Sequence, residues 1–96
     1  MYRLRIPDYL VEFIRSLHPK LKKKIKAALK LIIDDPYSEK PLKDELEGLR
    51  SLRVSRFRII YQVHGAKEIQ VLAIGPRANI YEETFLLIRK ETKDTK

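Results

Sequence analysis

Leu52–Tyr81, LRVSRFRIIYQVHGAKEIQVLAIGPRANIY, is the stretch that decides the fold. Apolar and polar residues alternate along it with the period of two expected of half-buried strands. Val54 and Phe57 bracket Ser55-Arg56, and Gly65 sits in a second turn, so both links read as antiparallel hairpins. Three strands are expected, at about 50–54, 57–63 and 68–74. Arg53, Arg56, Arg58 and Arg77, with Tyr61 and Tyr81, are interleaved with this pattern. A guanidinium is a planar fork of donors matched to phosphate oxygens, so this density on one hairpin and the loop after it points to a phosphate-bearing ligand.

Upstream, Tyr2-Arg3-Leu4-Arg5-Ile6 alternates strictly and reads as a short strand ended by Pro7. Asp8 reads as the N-cap of a helix through Leu10, Phe13, Ile14 and Leu17 that stops near His18-Pro19. A second helix, from Lys20 to about Asp34, carries Leu21, Ile25, Ala28, Leu29 and Ile32 on one stripe, and Pro36 closes it. Two helices joined by so short a turn form an antiparallel hairpin that lays its stripe on one sheet face. Residues 35–49 hold Pro36, Pro41, Gly48 and five acidic side chains, a connector with little regular structure. Downstream, Asn79 with Glu82 three residues later reads as an Asn version of a capping box opening a last helix. The order β-α-α-β-β-β-α is an α+β fold, a small mostly antiparallel sheet packed on an N-terminal helical hairpin. One domain is expected over residues 1–90, with a frayed polar tail at 91–96.

The 96 residues are 44% hydrophobic and 35% charged, the balance of a folded chain with one modest core. The absence of Cys excludes disulfides and thiolate metal sites, and His18 and His64 are too isolated to suggest a metal centre, so no cofactor is expected. Charges interrupt every apolar run, so neither signal peptide nor membrane span is expected and the cytoplasm is the expected location. The net charge of +8 divides into +6 for residues 1–34, −2 for 35–50 and +4 for 51–96. That field suits a polyanionic partner.

If Ser55-Arg56 is a two-residue turn, Arg53 faces Arg58. Like charges directly opposite destabilise a hairpin by a few tenths to about 1 kcal/mol, and a bound phosphate would turn that repulsion into a shared clamp. The other reading is a longer turn, or side chains that splay into water or pair with Glu45 and Glu47. Pro76 fixes the exit of the third of these strands and presents Arg77 just before the last helix. In the first turn of that helix, Tyr81 feels the positive helix end, and any neighbouring guanidinium, as influences favouring phenolate. Such a group can take a proton from a ribose hydroxyl. Taken alone, Tyr81 also reads as an amphipathic residue at the core's edge.

The pattern LEGLRSLRVSRFRIIYQV, a turn, then IQVLAIGPRANIY, resembles the RelE family of toxins from bacterial and archaeal toxin–antitoxin modules. The likeness spans most of the chain and is most specific in RVSRFRIIY and GPRANIY. It implies a RelE-like fold and a ribosome-dependent endoribonuclease, an mRNA interferase that cuts mRNA in the decoding site. It also implies silencing by a cognate RelB-like antitoxin, with DNA met only indirectly through the antitoxin complex. Residue by residue, Arg58 and Arg77 match the family arginines that bind and stabilise the scissile phosphate, and Tyr81 matches the tyrosine in or near proton abstraction. Arg53 falls where relatives place a basic residue, often Lys. The likeness departs at Arg50-Ser51-Leu52, where many relatives have an aromatic followed by a basic residue. Relatives that seat a Glu–His pair need a late His, and none follows His64.

Lys20, Lys22, Lys23, Lys24, Lys26 and Lys30 wrap the polar side of the second helix and, with Arg56, suit RNA or ribosome binding, or else serve as a solvated face. Phe85, Leu86, Leu87 and Ile88 are nearly continuous and read as an antitoxin-docking segment, or as a helix end buried on two sides by the domain itself. Two other activities stay open: a ParE-type toxin that binds DNA gyrase without cutting RNA, and a catalytically silent basic binding module.

Overall fold

The central hairpin turns in two residues because Ser55 takes a left-handed backbone, φ 58°, and the computed structural model pairs Val54 with Phe57 across it. Residues 2–38, 41–42, 48–65, 67–76, 80–81 and 84–88 are described. The expectations for Arg77, the Asn79–Glu82 cap, Glu45, Glu47 and the 91–96 tail lie outside them.

Six elements run in order: β1 (Arg3–Arg5), α1 (Asp8–Ser16), α2 (Pro19–Asp34), β2 (Arg50–Val54), β3 (Phe57–His64) and β4 (Glu68–Pro76). The sheet order is β1-β4-β3-β2, with β1 parallel to β4 and the other two pairings antiparallel. After β4, residues 80–81 and 84–88 are helical, and Thr84 Oγ1 donates back to the Ile80 carbonyl at 2.7 Å. The expected α+β architecture is the observed one.

Side-chain alternation gives the sheet two covered faces. One carries Val54, Ile59, Tyr61, Ile69, Val71 and Ile74, and the stripes of α1 and α2 close over it with Leu10, Ile14, Ile25, Ala28, Leu29 and Ile32. The other carries Ile60 and Ala73, with Leu49 and the helical Ile80 packed on them. A bulge lets β4 serve both: Ile60 faces Ala73 while Tyr61 faces Val71, so Leu72 is the extra residue and joins Ala73 on the second face.

Several local expectations are corrected. Asp8 is the first helical residue of α1 rather than its cap; Pro7 holds the cap position, and its carbonyl accepts from Leu10 and Val11. The acid in the first turn still suits the helix dipole. Helix α2 begins at Pro19, one residue early, because His18 is its cap, with Nδ1 accepting from Lys20 N–H at 3.2 Å and proline occupying the first turn. Strand β4 runs on to Pro76, paired with Phe57. The connector is tied down among its described residues: Pro41 bridges Arg50, and the buried Tyr61 hydroxyl donates to the Pro36 carbonyl at 2.8 Å.

Candidate functional site

Register places the cationic residues before any side chain is considered. Arg53, Arg58 and Gly75 form one row across β2, β3 and β4, and Ser51, Ile60 and Ala73 form the next. Residues directly opposite share a face, and this is the face away from α1 and α2. Gly75 adds no side chain to the row, so the guanidinium groups of Arg53 and Arg58 are its polar content.

Arg58 is half-buried, and one Nη donates to Ser51 Oγ at 3.2 Å. Its guanidinium carbon lies 5.9 Å from the Tyr81 ring centroid, within cation–π range. Its Nε is buried without an acceptor among the described residues. Ser51 is 5% exposed, and its Oγ is 3.3 Å from the Tyr81 hydroxyl, either atom being able to donate. Arginine has no acceptor, so Ser51 must be the acceptor toward Arg58, which leaves its own proton to be shared with Tyr81. Helix geometry in the 80–81 segment and strand pairing in β2 and β3 thus bring Arg58, Ser51 and Tyr81 into one bonded chain. Ser51, not singled out as a site residue, is its middle link. Strand alternation carries the signal that could have found it, since it puts Ser51 beside Arg53 on the arginine face.

Arg53 is exposed and stands opposite Arg58 in the ladder, but its Nε donates to the Ser55 carbonyl at 3.3 Å, so its head lies on the turn. Arg56 is exposed at the hairpin tip. Lys20, Lys23, Lys24, Lys26 and Lys30 are exposed on α2 and Lys22 is half-buried, all across the sheet from Arg58. Leu86 and Leu87 are exposed at 54% and 40%, while Phe85 and Ile88 are half-buried, Ile88 against the second core cluster. A separate cationic–aromatic group, not expected from sequence, has Arg50 4.9 Å over the Tyr37 ring and Tyr2 edge-on to it.

Residues 2–81 match the family model for the ParE toxin of type II toxin–antitoxin systems, parDE. The chain belongs to this family. It is a toxin of a type II toxin–antitoxin module, within the RelE/ParE superfamily. No curated protein matches it. The isolated RelE toxin of Escherichia coli superposes with a TM-score of 0.69 at 22% identity, over 92% of this chain and 99% of that one. The toxin–antitoxin complex RelBE2 of Mycobacterium tuberculosis gives 0.67 at 23% identity, over 79% and 98%. YafQ of Escherichia coli BL21(DE3) gives 0.61 at 19% identity, over 81% and 96%. These likenesses show that the toxin has the RelE fold. Among its described residues, no helix is long and apolar enough to cross a membrane.

Proposed function

We propose that the toxin is a ribosome-dependent mRNA endoribonuclease acting in the cytoplasm, with Arg58, Arg77, Tyr81 and Arg53 as its catalytic set. The observation that carries this reading is the Arg58–Ser51–Tyr81 chain, in which a guanidinium whose buried Nε has no acceptor among the described residues stands beside a phenol. RNA supplies its own nucleophile, so the chemistry requires a proton acceptor and charge stabilisation. Reacting as its phenolate, Tyr81 takes the proton of the ribose 2′-hydroxyl and becomes the neutral phenol as the 2′-oxygen bonds to phosphorus and the bond to the 5′-oxygen breaks. Arg58 and Arg77 stabilise the charge on the pentavalent phosphorus, a contribution whose loss costs roughly a hundred- to a thousand-fold per donor. Arg53, opposite Arg58, stabilises the departing 5′-oxygen; its own proton is too tightly held to be the acid, so that oxygen is protonated by water.

The partner assignments belong to the same reading: mRNA at the arginine row, ribosomal RNA at the α2 lysines and Arg56, and a RelB-like antitoxin at Phe85, Leu86, Leu87 and Ile88. The solved RelBE2 structure is a toxin–antitoxin complex of this fold, and Leu86 and Leu87 offer exposed apolar surface for such a partner. DNA is met only through the antitoxin complex. The test is in vitro translation of a defined mRNA with breaks mapped by primer extension. Codon-spaced cuts that vanish in Arg58→Ala, Arg77→Ala and Tyr81→Phe support the nuclease. The family description names ParE, which favours a second reading, a gyrase-binding toxin. Growth arrest with intact mRNA and gyrase-dependent DNA breaks would establish that reading instead.

A further inference from the structure

We infer that Ser51 is a positioning residue that couples the phosphate-binding Arg58 to the proton-accepting Tyr81, an assignment that rests on the nuclease reading. Ser51 is a buried hydroxyl in a row that otherwise holds Ile60 and Ala73, residues that pack with Leu49 and Ile80 in the second core cluster. A polar group at such a place is retained only when its bonds are made. Its hydroxyl bonds to two of the candidate catalytic residues, at 3.2 Å to Arg58 and 3.3 Å to the Tyr81 oxygen.

The protonation logic gives the bridge a direction. Arg58 can only donate, so one lone pair of Ser51 Oγ is fixed on the guanidinium and the hydroxyl is polarised by that charge. When Tyr81 acts as acceptor in its phenolate form, the Ser51 O–H is the donor that holds one side of the phenolate oxygen, leaving its other lone pairs for the ribose hydroxyl. Binding of a phosphate at the half-buried Arg58 guanidinium is thereby felt at Tyr81 through a single intervening hydroxyl. A network of this kind acts as a unit, so removal of its middle member loses most of what removal of either end loses.

Two variants and two readouts test the assignment. Ser51→Ala keeps the packing and deletes the bridge, and Ser51→Thr keeps a hydroxyl. On ribosome-bound mRNA, Ser51→Ala is expected to lower kcat roughly ten- to a hundred-fold with KM unchanged. Ser51→Thr should recover most of that loss, and Ser51→Ala should add little in a Tyr81→Phe background. Independently of cleavage, NMR of the free toxin labelled at tyrosine Cζ and arginine side-chain nitrogen should show the Tyr81 and Arg58 signals moving together in Ser51→Ala but not in Ser51→Thr. Wild-type cleavage with an unchanged kcat in Ser51→Ala overturns the role of Ser51 and leaves the nuclease intact. Unmoved Tyr81 and Arg58 signals overturn the bridge itself. No cleavage by the wild-type toxin removes the nuclease reading and, with it, the positioning role.

Discussion

Replacing Arg58 with Met separates what this side chain does for the fold from what it does for a ligand. In the free toxin the opposing contributions are close in size. The bond to Ser51, from a charged donor, contributes about 1.5–3 kcal/mol, and the stacking over the Tyr81 ring about 0.5–1 kcal/mol. Against these, a buried Nε with no acceptor among the described residues costs about 1–3 kcal/mol, and Arg53 directly opposite costs a few tenths to about 1 kcal/mol. Met has nearly the same length and no polar demand. Arg58→Met should therefore leave stability within about 1 kcal/mol of wild type, or about 4–8 °C in Tm for a domain of this size.

Anion binding should distinguish the two proteins where stability does not. A ligand held only by the folded state adds about 1.4 kcal/mol at tenfold its dissociation constant. Thermal melts in rising inorganic phosphate, at ionic strength held constant with chloride, should raise the Tm of wild type and leave that of Arg58→Met flat. A destabilisation of more than about 3 kcal/mol in the variant would show that Arg58 is structural. Equal phosphate stabilisation of both proteins would place the anion elsewhere. Either result would rule out Arg58 as a dedicated anion-binding side chain.

Ser55→Gly should raise stability by about 0.5–1 kcal/mol in chemical denaturation, because the left-handed backbone at φ 58° strains a serine and not a glycine. Tyr61→Phe should cost about 1–2 kcal/mol in the same measurement, since it leaves the buried Pro36 carbonyl without its 2.8 Å partner. Leu86→Ser with Leu87→Ser should change stability by under about 1 kcal/mol, as both side chains are largely exposed, yet weaken antitoxin binding at least tenfold in calorimetry.

Strand positions were legible because period-two alternation, a two-residue turn and a glycine turn all act locally, and Val54 and Phe57 do flank the turn as the pattern implies. The opposition of Arg53 and Arg58 followed from that register alone. Their heads diverge for a reason the pattern does not contain: the turn offers Arg53 the Ser55 carbonyl, while Arg58 finds Ser51 from the neighbouring row. Asp8 is not the cap because Pro7 already presents the first acceptor, and the His18 cap escapes a sequence reading because an imidazole is a rarer cap than a hydroxyl or carboxylate. Ser51 and Tyr81 are 30 residues apart and meet only when the chain crosses the sheet's second face, so no local spacing encodes their bond. The departure at Arg50-Ser51-Leu52 was visible as a difference from the family pattern, but the use made of Ser51 emerges only once the chain is folded.

The lysines of α2 and the arginine row lie on opposite sides of the sheet, and this bears on what kind of RNA the toxin would engage. One strand passing Arg58 cannot also lie along Lys23, Lys26 and Lys30, because the core built on Ile25, Ala28, Leu29 and Ile32 stands between. Free mRNA would use one surface and leave the other idle, whereas a toxin seated within a large RNA body would use both. Reversing Lys23, Lys26 and Lys30 to Glu should therefore weaken ribosome co-sedimentation at least tenfold, and the salt dependence of binding should flatten by roughly one unit of slope for each phosphate no longer neutralised. Phosphate stabilisation through Arg58 should stay as in wild type, since α2 packs on the other face of the sheet. Unchanged ribosome association would reduce the lysines to a solvated face, and abolished phosphate binding would show that the two surfaces are not independent.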